Sequence, residues 1–370
     1  MYKNGINMGQ VKKQNRSSIL RYMNSHADVS RKEIAEATGL TAAAVTQICN
    51  DFLKEGLIKE CGTVNDVSGA GRRKVMLRIN YEFAYIIGVN IESHDTVVVV
   101  SDLGGNVISR AKLETNNEIP PEEFVGEVAS CIEEMLDENS EARKKVMGGC
   151  VAISGEVDRE KGVSLRAYSI WRQEVPVCSL LEEKTGFKFI IENNIDAFAM
   201  AEIVYGTGMK SENILVLKWG PGVGCTIIID NKLYEGRHGR SAEIGHFIVE
   251  KDGELCSCGR RGCLETKISY KAMKRKKPFK FNEFADVYKD FSEEIDLFAR
   301  TLVNSMSILA PNRVVLAGRF FADKRVRDEL IKCCEYYDKK YDTKRILHTP
   351  LFDKEDYIGP VATYIERELF

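Results

Sequence analysis

Between Gly245 and Glu265 the sequence reads GHFIVEKDGELCSCGRRGCLE, which gathers a histidine and three cysteines in a 370-residue chain with only five histidines. Cys256, Cys258 and Cys263 can bring three thiolates to one point, because Gly259 and Gly262 between them permit tight turns. His246, a short stretch upstream, can supply a fourth ligand. Three thiolates and an imidazole close a tetrahedron, the donor set of structural Zn2+, with Zn–S distances of about 2.3 Å. Such a set leaves no position for water, so its chemistry is anchoring rather than metal-activated hydrolysis.

The anchored segment must sit in a larger scaffold. Hydrophobic residues at 44% and charged residues at 29% are those of an ordinary globular protein, and the length allows two or three domains. No run of about 18 apolar residues occurs, and the opening MYKNGINMGQVKKQNR lacks the apolar core of a signal peptide. The expectation is a cytoplasmic protein with no membrane partner. Eleven cysteines are an odd number, scattered without an export signal, which argues against a disulfide framework. Cys49, Cys131, Cys150, Cys178, Cys225, Cys333 and Cys334 sit among apolar neighbours and read as small buried hydrophobes.

The net charge of -2 hides an asymmetry. Residues 1–80 carry thirteen Lys+Arg against seven Asp+Glu, a net +6, which leaves -8 for the remainder. A basic module on an acidic body suits a DNA-binding head on an effector domain. In NRSSILRYMNSH, Ile19, Leu20 and Met23 recur at helical spacing. Ser30 and Glu33 form a capping box for a second helix, with Ile34 and Ala35 inward, and Gly39 supplies the left-handed residue that ends it. Thr41 caps a third helix whose buried stripe is Val45, Ile48, Phe52 and Leu53.

That leaves Thr41, Ala42, Ala43, Thr46, Gln47 and Asn50 facing outward at the start of what reads as a recognition helix. Small residues there let the backbone approach base edges, and Gln47 and Asn50 can pair with adenine. A strand beginning at Leu57 and Ile58, a loose tip, and a returning strand RRKVMLRIN form a basic wing that carries Arg72, Arg73 and Lys74. Residues 1–80 therefore read as a winged helix-turn-helix whose partner is operator DNA.

The body shows a repeated unit. YIIGVNIESHDTVVVVSDLGGNVISR and NILVLKWGPGVGCTIIIDNKLYEG each read as strand, turn and hairpin, with helical stretches between. Together with ENNIDAFAMAE, AEIGH and CSCGRRGCLE, in that order, this sequence resembles the ROK family of sugar kinases and sugar-responsive repressors. The winged-helix extension is similar to its xylose- and N-acetylglucosamine-type repressor branch. The resemblance implies an α/β, actin-like (ribonuclease-H-like) body of two lobes bearing the zinc site. On that basis residues 81–200, completed by a C-terminal helix at 357–370, form the first lobe, and residues 201–356 the second. It implies a sugar or sugar-derivative effector held by Glu243, His246 and Glu265 beside the metal and by Asn193 and Asn194. It also implies a homo-oligomer, dimer or tetramer.

The same comparison argues against catalysis. Where family kinases carry Asp-x-Gly-Gly-Thr, this chain has Asn90, Glu92, Ser93 and His94, and the family's catalytic aspartate falls on Asn194, which cannot remove a proton. Glu92 would repel phosphates, so no ATP is expected. Only GPGVG, Gly220–Gly224, still resembles a phosphate loop. Arg319 replaces a common second glycine, and Tyr168 stands where the family often has Asn. The expectation is a non-enzymatic repressor released from DNA by a sugar. The alternatives are a sugar kinase that kept its DNA-binding head and a regulator that answers to a protein partner. The basic run KAMKRKKPFKF reads as a solvated loop.

Overall fold

The computed structural model describes residues 7–64, 74–207, 213–236, 242–340 and 342–370. The chain divides into two compact units, Met1–Asn194 with Pro360–Phe370, and Ile195–Gly359. No described helix is long and apolar enough to cross a membrane.

The first unit begins with helix α1 (Met8–Asn24), a short strand β1 (Val29–Ser30), α2 (Arg31–Thr38) and α3 (Ala42–Glu55). Local chemistry sets each boundary. Ser30 N donates to Glu33 Oε2 at 2.7 Å while Ser30 Oγ accepts from Glu33 N at 3.3 Å, which starts α2. Gly39, at φ 70°, closes it in the left-handed region. Thr41 Oγ1 then accepts from Ala44 N at 3.2 Å and starts α3; each such cap contributes about 1 kcal/mol. Val45, Ile48, Cys49 and Phe52 are the buried residues of α3. Leu53, expected in that stripe, is only half-buried, and Cys49 takes the inner position. Strands β2 (Ile58–Val64) and β3 (Lys74–Ile79) pair antiparallel as the wing, with β1 on the far side of β3. Arg72 and Arg73 lie outside the described residues.

A five-stranded sheet follows, built from β4 (Tyr85–Ile91), β5 (Asp95–Asp102), β6 (Val107–Glu114), β7 (Val146–Ile153) and β10 (Phe189–Asn193) in the order β10-β7-β4-β5-β6. Strands β4, β5 and β6 form an antiparallel meander, and β7 and β10 add parallel to β4. The β5–β6 turn is held by Asp102 Oδ1, which accepts from Gly104 N at 2.8 Å and Asn106 N at 2.9 Å. Helices α4 (Pro121–Asp137) and α6 (Val177–Thr185) cover one face through Phe124, Ile132, Leu136 and Leu181. The short α5 (Ser140–Arg143) and the ribbon β8 (Gly155–Asp158) with β9 (Val163–Ala167) complete this part.

The second unit repeats the plan. After α7 (Asn194–Val204), which starts at the join, come β11 (Ile214–Trp219), β12 (Val223–Ile229), β13 (Lys232–Leu233), β14 (Arg313–Ala317) and β15 (Ile346–His348), in the order β13-β12-β11-β14-β15. Again a meander is extended by parallel strands. Asp230 and Asn231 turn β12 into β13 at φ 51° and 58°, the pairing that a tight hairpin asks of such residues. Helices α8 (Glu265–Ile268), α9 (Tyr270–Lys276), α10 (Phe284–Val287), α11 (Ser292–Leu309) and α12 (Lys324–Tyr337) follow, and α13 (Ile358–Tyr364) leads back into the first unit.

Trp219 is the centre of the second core. It is fully buried, its ring meets Phe284, Phe298 and Phe320 edge-on at 5.2–5.3 Å, and its Nε1 donates to Ile268 O at 2.8 Å. The core thus fixes the end of β11 to the helix that begins with Glu265. The basic run is a correction to the sequence reading: residues Tyr270–Lys276 are helical rather than a loop. Arg275 pairs with Glu254 at 2.6 Å, Lys276 with Glu294 at 2.9 Å and Lys277 with Asp290 at 2.5 Å.

His348, at the end of β15, has a buried Nε2 with no hydrogen-bond partner among the described residues. Burial, aided by the Arg327 charge, lowers its pKa from 6.5 to about 4. A depressed folded value means that the unfolded chain takes up this proton first as pH falls. The contribution is whole above pH 6.5 and is lost between there and about 4. Denaturant titrations of wild type and His348→Gln over this range are expected to show the steeper loss in wild type; parallel curves would contradict it.

Candidate functional site

In the second unit the sequence-read metal ligands converge. One donor atom each from His246, Cys256, Cys258 and Cys263 lies within 4.8 Å of the others. Cys258 Sγ and Cys263 Sγ are 3.7 Å apart, and Cys256 Sγ is 3.5 Å from His246 Nδ1. A tetrahedral zinc with the usual bond lengths sets these edges at about 3.8 and 3.6 Å. The donors therefore fit the ion. Gly262 makes the turn possible: it sits at φ 71°, and a Cβ there would lie 1.8 Å from Glu250 O.

The electrostatics agree with a ligand set. Burial lowers the pKa of His246, which favours the neutral imidazole that a metal needs. Burial raises Cys256 and pushes Cys263 up to about 12, while at Cys258 the effect of burial is outweighed by hydrogen bonds from Arg260, and its pKa falls. A divalent cation would replace the protons of the raised thiols.

His246 also joins the knot to the expected sugar residues. Its Nε2 lies 3.7 Å from Glu243 Oε2, so a carboxylate backs the imidazole on the side away from the thiols. Glu265 is held from another direction: its Oε2 accepts from Val223 N at 3.2 Å, and burial raises its pKa. Gly222 permits this approach, since a Cβ there would come within 3.0 Å of the same oxygen. The Gly-rich turn at Gly220–Gly224 therefore offers one of its amides to a side chain of this protein, not to a phosphate.

Asn193 and Asn194 belong to the first unit, at the end of β10 and the start of α7. Asn193 Nδ2 donates to Gly155 O at 2.8 Å and Asn194 Nδ2 to Ser154 Oγ at 3.0 Å, which leaves both amide oxygens directed by those bonds. Asp196, two residues on, instead accepts from Thr226 Oγ1 at 2.7 Å within the second unit. Neither replaces a base at position 194. Asn90 is buried on β4, Glu92 is half-buried just beyond it, and Tyr168 Oη donates to Glu156 Oε1 at 3.3 Å.

On the helix-turn-helix, Thr41, Ala42, Ala43, Thr46, Gln47 and Asn50 are all exposed. Their hydrogen bonds separate their roles. Thr41 caps α3, and Thr46 Oγ1 donates to Ala42 O at 2.7 Å, so Thr46 presents its methyl group. Asn50 Oδ1 accepts from Arg31 Nη2 at 3.2 Å, an interaction across nineteen positions that no local pattern announces. Gln47 has no side-chain bond among the described residues and keeps both amide groups for a base edge. Sequence reading missed Arg31 here, and it missed Glu192, a fully buried carboxylate whose only signal is a charge at the end of an apolar strand.

Known proteins place this arrangement. The profile of the ROK family matches residues 86–359, and that of winged helix-turn-helix DNA-binding domains matches residues 13–59. The xylose repressor of Bacillus spizizenii is 31% identical over 265 residues, 71% of this chain and 67% of that protein. The DNA-binding transcriptional dual regulator NagC of Escherichia coli is 28% identical over 263 residues, 70% of this chain and 63% of that one. Among solved structures, a ROK family transcriptional regulator described as a homologue of E. coli MLC superposes with a TM-score of 0.79 at 18% identity, over 95% of both chains. A ROK family glucokinase from Streptomyces griseus reaches 0.63 at 22% identity over 76% of this chain and 98% of its own. At these identities the two structures speak for the fold alone.

Proposed function

This chain belongs to the ROK family, and from that premise we propose that it is a sugar-responsive transcriptional repressor which leaves operator DNA when a sugar or sugar derivative binds its body. The observation that carries the reading is the union, in one chain, of an exposed recognition helix with a ROK body in which Asn194 stands where catalysis needs a carboxylate. Glu243, His246 and Glu265 would accept or donate hydrogen bonds to sugar hydroxyls, with charge assistance from the carboxylates. Asn193 and Asn194, at the end of β10 and the start of α7, are the neutral candidates for hydroxyl contact. The repressor relatives of the xylose and N-acetylglucosamine types support a pentose or an amino sugar as the first ligands to try.

His246, Cys256, Cys258 and Cys263 would hold one structural Zn2+, which supplies rigidity and no reaction. Its role is to fix the loop bearing Glu243 relative to Glu265. The recognition helix and wing, with Arg72 and Arg73, would meet operator DNA as a dimer or tetramer, since a helix-turn-helix reads two half-sites. This is a cytoplasmic task.

Two measurements test the reading together. Anisotropy titrations should show tighter binding to DNA upstream of the chain's own gene than to a scrambled duplex; equal affinity would contradict DNA-specific function. Incubation with xylose, glucose or N-acetylglucosamine and ATP should yield no sugar phosphate, and Asn194→Asp should not create the activity, because Glu92 still opposes the phosphates. Turnover by wild type would transfer the protein to the kinase branch.

A further inference from the structure

Charged side chains of alternating sign run through the first unit from α1 to the end of β10. Arg21, on α1, donates to Glu366 Oε1 through Nε at 3.1 Å and through Nη2 at 2.5 Å. The next residue, Arg367, donates to Glu192 Oε2. Glu192 Oε1 accepts from Arg159 Nε at 2.9 Å and from the backbone N–H of Asn193 at 2.7 Å. Glu192 is fully buried and immediately precedes Asn193 and Asn194. Both C-terminal links lie in one π-helical turn, Ile365–Leu369, closed by Phe370 N donating to Ile365 O at 3.0 Å. Consecutive residues in it reach separate partners, and π-turns recur where helices do functional work.

We infer that this C-terminal turn is the transmission element between the effector-facing asparagines and the DNA-binding module, with Glu192 and Arg367 as its inner positioning pair and Arg21–Glu366 as its outer contact. The inference rests on the reading that Asn193 and Asn194 meet the effector. The two links differ in strength, and that difference gives the device its direction. A buried carboxylate deprived of one arginine is strongly destabilised, so Glu192 and Arg367 must move together. Arg21, by contrast, is half-exposed, so although Glu366 is mostly buried and takes both Nε and Nη2, the outer pair keeps solvent on one side and is the easier of the two to break. The root of the segment is fixed: Tyr364 Oη donates to Met147 O at 3.0 Å, and a Cβ on Gly88 would come within 2.9 Å of Val361. Displacement of the asparagine backbone is therefore delivered to the last turn, where it makes or breaks the contact with α1.

Hydrogen exchange on the full-length protein tests this without operator or effector. Arg21→Glu should speed exchange of the Asn193 amide by at least roughly fivefold, the lower end of coupling between linked sites. The charge swap Arg21→Glu with Glu366→Arg should restore the wild-type rate. Arg21→Gln, which breaks the contact without adding repulsion, should speed exchange of the same amide by a smaller factor. Altered exchange confined to α1, with Asn193 unchanged in all three variants, would overturn the inference. Failure of sugars to release wild-type protein from DNA would instead count against the effector reading alone.

Discussion

Cys258→Ser is expected to abolish metal retention and to lower both stability and sugar response, while wild type purified after zinc-replete growth holds one zinc per protomer. The donors are already grouped within 4.8 Å, so the ion adds its binding free energy to a formed lobe. Its loss should remove several kcal/mol of the roughly 5–15 that hold an ordinary domain. Two consequences separate this from simple damage. A chelator should reproduce the loss in wild type and leave Cys258→Ser unaffected. The sugar response should fall with the metal, because His246 would be a ligand and is the neighbour of Glu243 at 3.7 Å. Elemental analysis showing no zinc in folded wild type would refute the account of the knot.

Ala43→Glu is expected to abolish operator binding and leave the fold intact. Ala43 is exposed in the first turn of α3, where a carboxylate suits the helix dipole and touches no core residue. Against DNA the same carboxylate faces phosphates, and a like-charge juxtaposition costs several kcal/mol, so affinity should fall at least about 100-fold. Gln47→Ala should behave differently, losing about 1–3 kcal/mol of discrimination at one base pair in each half-site. Normal operator binding by a folded Ala43→Glu protein would move the DNA interface away from α3.

Short-range chemistry made much of the architecture readable. Ser30 with Glu33, Gly39 and Thr41 are complete instructions for three helix ends, and the structure carries all of them out. The hairpins at Gly104–Gly105 and Asp230–Asn231 follow from turn preferences, and the cysteine spacing from the geometry of a tetrahedron. What escaped is long-range. Asn50 could be taken as a free base reader because its partner Arg31 comes from another helix. The KRKK run looked solvated because Glu254, Glu294 and Asp290, which pair with it, are distant in sequence. Leu53 was expected inside and is only half-buried, because it lies at the edge of the helical stripe and only packing decides such a position. Glu192 finds Arg159 and Arg367 thirty-three residues before it and 175 after it, a pairing that no pattern along the strand encodes.

The central claim is a linkage between sugar and DNA. A ligand shifts an equilibrium only by its differential affinity for the two states, so a sugar that favours the DNA-free arrangement must bind it more tightly. Anisotropy of a labelled upstream duplex, titrated with the full-length protein in the presence and absence of saturating xylose or N-acetylglucosamine, reads that difference directly. The account expects one of these sugars to weaken DNA binding about 5- to 150-fold, the usual range of allosteric coupling. It expects calorimetry to show the sugar weakened by the same factor when operator is present, and Glu243→Gln to lose both effects. Operator affinity that stays constant while a sugar demonstrably binds the body would contradict it.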